Sequence, residues 1–190
     1  MFTLFIDTHA KNVHIILYKD SSILEDLEVV TANQHSEVTM PTIAKILSNN
    51  NLDAKDLNGI IVVNGPGSFT GVRIGVTIAK TFAYVLNIPI RVIDSLLLKA
   101  ICIDSDSKIV SEPDRNGGYI GKFNGKNEAI SEYTYLNKNA YKELKENNIV
   151  YEDVDIDYVK VFEFLSKQDP INAHAVKPLY VKGITGINDK

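Results

Sequence analysis

The sequence predicts an α/β protein of two related lobes, each built on a mixed sheet with helices against it, the second lobe a shortened copy of the first. Three observations predict it. A meander of three short strands opens the chain, two branched-apolar runs then alternate with helices, and a fainter version of the same succession follows beyond residue 100.

Phe2–Asp7 is short, apolar and aromatic-rich, and residues 13–18 and 23–31 follow it after brief polar breaks. Connections that short join only antiparallel neighbours, so these three strands form a meander. A helix is predicted over 36–48, with apolar residues at Val38, Ile43, Ala44, Ile46 and Leu47 and a proline at position 41. The run 59–64 is continuously apolar and branched, the mark of a strand covered on both faces. A long helix over 70–86, ended by Asn87, leads to a second buried strand at 88–93. A meander followed by strand–helix–strand crossovers gives a mixed sheet with helices on its faces.

In the second half, 106–111 reads as a strand. Residues 118–123 and 128–133 flank Asn124-Gly125-Lys126-Asn127, a good hairpin turn. Helices are predicted near 137–146 and 156–167. The boundary falls near 95–105, giving a first lobe over 1–100 and a smaller second lobe over 101–190.

Composition narrows the function. At 45% hydrophobic and 23% charged, the chain can bury a real core. Its net charge is −4 and no block of Lys and Arg interrupts the sequence. Gripping nucleic acid unaided calls for a basic face that neutralises phosphates; if this protein serves RNA, something else holds the RNA. Cys102 is the single cysteine and sits in an apolar run, which predicts a buried, inert thiol. The N-terminus lacks a basic segment and meets Asp7 too early for a signal peptide. No uninterrupted apolar stretch of membrane-spanning length is apparent, so the expected location is cytoplasmic.

The strongest signal lies in residues 64–75, a Gly-rich turn between a buried strand and a helix. Such a turn can offer backbone N–H groups to an anion, so Gly65, Gly67, Ser68 and Thr70 are candidates for a phosphate loop. The named templates do not fit. No lysine stands where a Walker loop needs one, and Gly65, Gly67 and Gly71 have the wrong spacing for a dinucleotide fingerprint. The favoured reading is a tight turn with Ser68 or Thr70 capping the helix.

Within that helix, Gly71, Gly75, Ala79 and Ala83 recur at i, i+4 and line one face. Two interior glycines cost about 1 kcal/mol each against alanine, which close approach of another backbone would offset. Apolar residues flank the stripe on both sides, including Val72, Val76 and Phe82 on one and Ile74 and Ile78 on the other. That is a wider apolar surface than one sheet covers. Packing within the chain or against a partner would each use the stripe; the sequence favours a partner.

These motifs resemble the TsaB (YeaZ) family. Ile6-Asp7-Thr8, His35-Ser36-Glu37 with Pro41, and the run from Gly65 to Gly75 carry the resemblance, and Ala79-Lys80 continues it. Residues 114–119 and 178–182 are similar to the family's second-lobe and C-terminal signatures. The likeness is strong over about 1–100 and thin beyond. It implies an actin/hexokinase/Hsp70-like (ribonuclease H-like) fold. It also implies pairing with the paralogue TsaD, which transfers a threonylcarbamoyl group onto the adenosine beside the anticodon. The two first-lobe helices would meet TsaD, placing Gly71, Arg73, Ile74, Gly75, Ile78, Ala79, Phe82 and Ala83 at the interface. Replacing Gly75 by Leu would then abolish pairing and leave the fold intact. TsaE would join the assembled complex, tRNA would be met only through it, and ATP or ADP would be held at the interface rather than required by this chain alone.

Catalysis by this chain is not expected. The superfamily's phosphate loop needs a glycine after the first-strand aspartate, whereas the run here is Asp7-Thr8-His9-Ala10-Lys11. Asp7 and Thr8, with Gly65, Gly67, Ser68 and Thr70, would be a vestigial nucleotide site. No two of His9, His14, His35 and His174 have the i, i+4 spacing of a helical metal pair, so no metal is expected. Two other readings stand beside the partner-subunit one: an independent nucleotide-dependent phosphotransferase, and a homodimer that uses the same stripe on itself when the chain is alone.

Overall fold

The computed structural model describes residues 1–31 and 34–181. The first sheet holds β1 (Phe2–Asp7), β2 (Asn12–Lys19), β3 (Ser22–Val30), β4 (Leu57–Val63) and β5 (Ile90–Ile93), in the order β3-β2-β1-β4-β5. The meander pairs antiparallel, while β4 runs parallel to β1 and β5 parallel to β4. Helix α1 (His35–Asn49) links β3 to β4, and α2 (Phe69–Leu86) links β4 to β5.

Both faces of this sheet are covered, which is why its central strands read as unbroken apolar runs. On one face Leu4, Ile6, Ile15 and Val62 meet Ile43 and Ile46 of α1 and Val72, Val76 and Ala79 of α2. On the other, Phe5, Ile16, Tyr18, Ile61 and Val63 meet α3 (Ser95–Ile101) and α5 (Tyr158–Ser166). Alternate residues of β1 therefore serve two separate cores.

The second sheet holds β6 (Ser107–Asp114), β7 (Gly117–Asn124), β8 (Thr134–Asn137) and β9 (Val150–Tyr151), in the order β8-β7-β6-β9. Its first three strands pair antiparallel and β9 runs parallel to β6, with α4 (Lys138–Asn147) in the crossover. This is the first sheet's order without a fifth strand, so the second copy is the shorter one. Helix α3 joins the lobes, turning Leu98 and Ile101 to the first sheet and Leu96 and Ala100 to the second.

Several expectations change. The turn at 124–127 forms, with Asn127 N–H donating to the Asn124 carbonyl at 3.0 Å, but 128–133 is not its second strand. After one bridge between Phe123 and Ala129 the chain swings out, and Tyr133 turns inward against Phe123 to hydrogen-bond Asp94. The strand opposite β7 is Thr134–Asn137, paired with its beginning. Helix α3 was not foreseen, because seven largely apolar residues show no helical period; Asp94, which caps the N–H groups of Leu96 and Leu97, was its one signal. The division near residue 100 separates the sheets only. Helix α5 and residues 171–180 return to the first sheet, where Ile171 N–H donates to the Ile90 carbonyl and Val176 is buried in the core under α2.

Finally, α2 is, among the described residues, one helix long and apolar enough to cross a membrane by length and composition. It lies instead along the first sheet, where Val72, Val76, Ala79 and Ala83 are buried. Cys102 is half-buried rather than enclosed, and its sulfur accepts the Asp157 N–H.

Candidate functional site: a cleft filled from within and an exposed helix face

The end of β1 and the start of α2 lie against each other. Ser68 caps α2 by accepting the Gly71 N–H, as the cap reading anticipated. Thr8 donates its hydroxyl to the Gly71 carbonyl at 2.7 Å, and Ser68 N–H donates to the His9 carbonyl at 2.7 Å. The glycines make this approach possible. A Cβ on Gly67 would stand 2.4 Å from the His9 carbonyl oxygen, one on Gly71 2.1 Å from the Thr8 carbonyl oxygen, and one on Gly75 2.3 Å from Thr8 Oγ1. Side chains cannot be placed at such distances without moving the strand end. Gly65 is held at a φ of 97°, and Ser95 fastens the loop from below by donating to the carbonyls of Gly65 and Pro66.

This overturns half of the interface expectation. Gly71, Gly75, Ala79 and Ala83 are buried within the chain: Gly71 and Gly75 face the carbonyl and hydroxyl of Thr8 at the end of β1, and Ala79 and Ala83 lie in the core against the first sheet, so what they approach is the protein's own and not a partner's. Gly75→Leu would therefore damage the fold instead of sparing it. The helix period locates a small-residue face but does not say what lies opposite it.

The other half stays at the surface. Arg73 is exposed and Ile74, Ile78 and Phe82 are half-buried along the outer flank of α2. Other large apolar residues of the two helices are exposed: Met40 on α1 is 45% exposed, Phe69 51%, Val85 71% and Tyr84, which packs edge-on against His174, 65%. A shallow groove of about 390 Å³ runs between Ser36 of α1 and Ile74, Thr77 and Ile78 of α2. At its upper end the Arg73 guanidinium lies 3.8 Å above the Phe69 ring and donates to the Tyr180 hydroxyl at 2.7 Å. Tyr180 belongs to the C-terminal signature, of which Lys182 lies outside the described residues.

Between the lobes lies a cleft of about 830 Å³, lined by Lys11, His14, Glu28, Tyr119 and Tyr158 among others. Of the residues of the vestigial-site expectation, Asp7, Gly67 and Ser68 line it, whereas Thr8 and Gly65 do not and Thr70 faces the groove on the outer side of α2. Asp7 and Ser68 are engaged by the chain itself. Asp7 Oδ1 lies 2.6 Å from His9 Nδ1 and accepts the His9 backbone N–H at 3.0 Å. On the far side of the ring, Nε2 is 3.5 Å from Glu112 Oε2, and Lys99 Nζ is 2.7 Å from that same oxygen. Lys99 also donates to the carbonyls of Ser111 and Glu152, at 2.8 Å each.

Asp7, His9 and Glu112 are all buried. Burial works against a charged His9, but the Asp7 carboxylate and then Glu112 outweigh it and raise the ring to about 10. Burial likewise opposes ionisation of Asp7 and Glu112, and the neighbouring imidazolium overrides it and lowers both. The line is Asp7⁻–His9⁺–Glu112⁻–Lys99⁺. The carboxylate that would face a metal-bound nucleotide is already neutralised, and Ser68 N–H is spent on a carbonyl. The missing glycine after Asp7 is legible in the sequence, and what replaces it is not. Glu112 and Lys99 lie about a hundred residues away with no local motif, and only the fold brings them in.

Fold and site together define a two-lobed α/β protein, a mixed sheet in each lobe, in which the expected phosphate-loop positions Asp7 and Ser68 are bonded to a histidine of the same chain. The model of the TsaD family, tRNA N6-adenosine threonylcarbamoyltransferase, matches residues 29–112. The tRNA threonylcarbamoyladenosine biosynthesis protein TsaB of Bacillus subtilis is 40% identical over 96 residues, 50% of this chain and 42% of that protein. An uncharacterized Mycoplasma pneumoniae protein, an MG208 homolog, is 30% identical over 160 residues, covering 81% of this chain and 79% of its own length. Two solved Pseudomonas aeruginosa proteins share the fold at 15% identity. One is YeaZ, with a TM-score of 0.75 over 94% of this chain and 100% of its own. The other is an uncharacterized protein with similarity to peptidase YEAZ, with a TM-score of 0.78 over 95% and 99%. The chain belongs to the TsaB (YeaZ) family. It spans less than half the length of the curated TsaB proteins it matches.

Proposed function

We propose that this chain is a non-catalytic subunit in the formation of threonylcarbamoyladenosine on tRNA, and that it docks a TsaD-type transferase through the outer faces of α1 and α2. The observation that carries the reading is the exposed apolar surface of that helix pair, Met40, Phe69, Tyr84 and Val85 around the half-buried Ile74 and Ile78. Large apolar side chains left exposed along a helix pair are what a protein–protein contact would cover. The non-catalytic part rests on Asp7 and Ser68, whose polar groups are taken up by His9.

Other assignments follow from the family. A net charge of −4 leaves tRNA to be held by the partner. ATP or ADP belongs to the subunit interface, TsaE joins the assembled complex, and the location is the cytoplasm, where tRNA is modified. Without the partner the same apolar face supports a homodimer.

The test uses the outermost residues, which carry little of the fold. Met40→Glu with Val85→Glu should leave the far-UV spectrum and urea midpoint near those of the wild type and abolish co-purification with a TsaD-type transferase. Full co-purification by the double variant would remove the docking claim. The alternative, an independent phosphotransferase using the open cleft, requires magnesium-ATP to bind the isolated chain in calorimetry.

A further inference from the structure

The buried charges of the cleft run across the molecule instead of around a cavity. Asp7 ends β1 of the first sheet, Glu112 lies on β6 of the second, and Lys99 stands on the helix that joins them. His9 is the element between: its ring faces Asp7 on one side and Glu112 on the other, while its backbone carbonyl holds the Ser68 N–H. Lys99 ties the far end into the second lobe through the carbonyls of Ser111 and Glu152.

Buried ion pairs are a poor source of stability, because well-packed apolar residues often do as well; breaking one partner out is costly, since it strands a buried charge. What a line of alternating charges contributes is geometry. It has one arrangement in which every charge faces its opposite, and sliding one lobe against the other breaks that alternation. The apolar contacts of α3 join the lobes without such directional preference.

We propose that His9 is an interlobe latch: it fixes the second sheet against the first and keeps the Gly-rich loop engaged with the end of β1, in the position where a bound ligand would otherwise bridge the two lobes. Without the imidazolium, the Asp7 and Glu112 carboxylates face each other with no cation between them. The loop and the β6–β7 hairpin then loosen together, each losing the contact it makes with this residue. The latch does not depend on the partner reading and is tested on the free chain.

The experiment is native-state hydrogen exchange read by mass spectrometry on the full chain, comparing wild type, His9→Ala and Glu112→Gln. The latch predicts exchange faster by about tenfold or more in peptides covering 65–72 and 107–124, in both variants, with α1 and the β2–β3 hairpin unchanged. The double variant should be no looser than His9→Ala, since both changes open the same contact. Loosening confined to 65–72, with 107–124 protected as in the wild type, would overturn the proposal. If His9→Ala loses protection everywhere, Glu112→Gln decides: a change limited to the two named segments supports the latch, and a uniform change or none refutes it.

Discussion

Thr8 and His9 are the two residues around which the rest of the site is arranged. Thr8 explains the glycines of α2, because its carbonyl and hydroxyl lie where a Cβ on Gly71 or Gly75 would go. Gly71→Ala and Gly75→Ala should each destabilise the chain by about 1–3 kcal/mol, although alanine is the better helix former, and urea titration would measure it. A gain in stability from either would mean that the strand end is free to move. His9 gives the chain a pH signature. Its ring titrates near 10 in the folded chain against 6.5 for an ordinary histidine. The stabilisation it brings is therefore complete below about 6.5 and is lost as the pH rises through about 10. The groups facing it are Asp7 and Glu112, with Lys99 behind Glu112 and the charge of His14 acting on Asp7. The two carboxylates are lowered, so their share is present above the ordinary carboxylate range and is lost as the pH falls through their folded values. The urea midpoint of the wild type should fall between pH 6.5 and 10, and that of His9→Gln should stay nearly flat over the same window.

At the scale of the element, α2 has two faces with different tasks. Its inner face is packed by Val72, Val76, Ala79 and Ala83, and its outer face carries Arg73, Tyr84 and Val85 into solvent. Ser68→Ala removes the cap and should cost about 1 kcal/mol in chemical denaturation, without affecting the outer face. The ends of this helix were legible in the sequence, since a Ser before it and an Asn after it are standard punctuation; Asn87 adopts the left-handed conformation at φ 53°. Its orientation was not. Apolar residues flank the small stripe on both sides, so the pattern alone leaves open which flank meets the sheet. Strands β1, β2 and β4 were legible for the opposite reason: residues covered on both faces leave unbroken apolar runs, while the edge strand β3 was placed by its short connection to β2. In the second lobe β8 and β9 are only four and two residues long and partly covered, so the strand opposite β7 is not where the pattern put it, and the short α3 between the lobes carries no period.

For the whole molecule, duplication of the strand order produces two sheets with a cleft between them, a layout suited to a ligand that bridges the lobes. This chain places its own His9 across that gap. The fold was thus largely readable from local pattern, and the site only in part. Asp7, Ser68 and the glycines stand in recognisable motifs, whereas the Glu112–Lys99 half is a product of tertiary folding between residues that carry no pattern. Calorimetry with magnesium-ATP on the isolated chain should show no saturable heat, because Asp7 and Ser68 are already engaged.

The most direct test of the central claim is threonylcarbamoyl transfer to tRNA by a TsaD-type enzyme reconstituted with this chain, with chain variants shown by far-UV circular dichroism to be folded at the assay temperature. A non-catalytic docking subunit predicts that Asp7→Asn supports transfer at close to the wild-type rate, while Met40→Glu with Val85→Glu reduces it to the level seen without the chain. Loss of transfer with Asp7→Asn, or full transfer with the helix-face variant, would contradict the account.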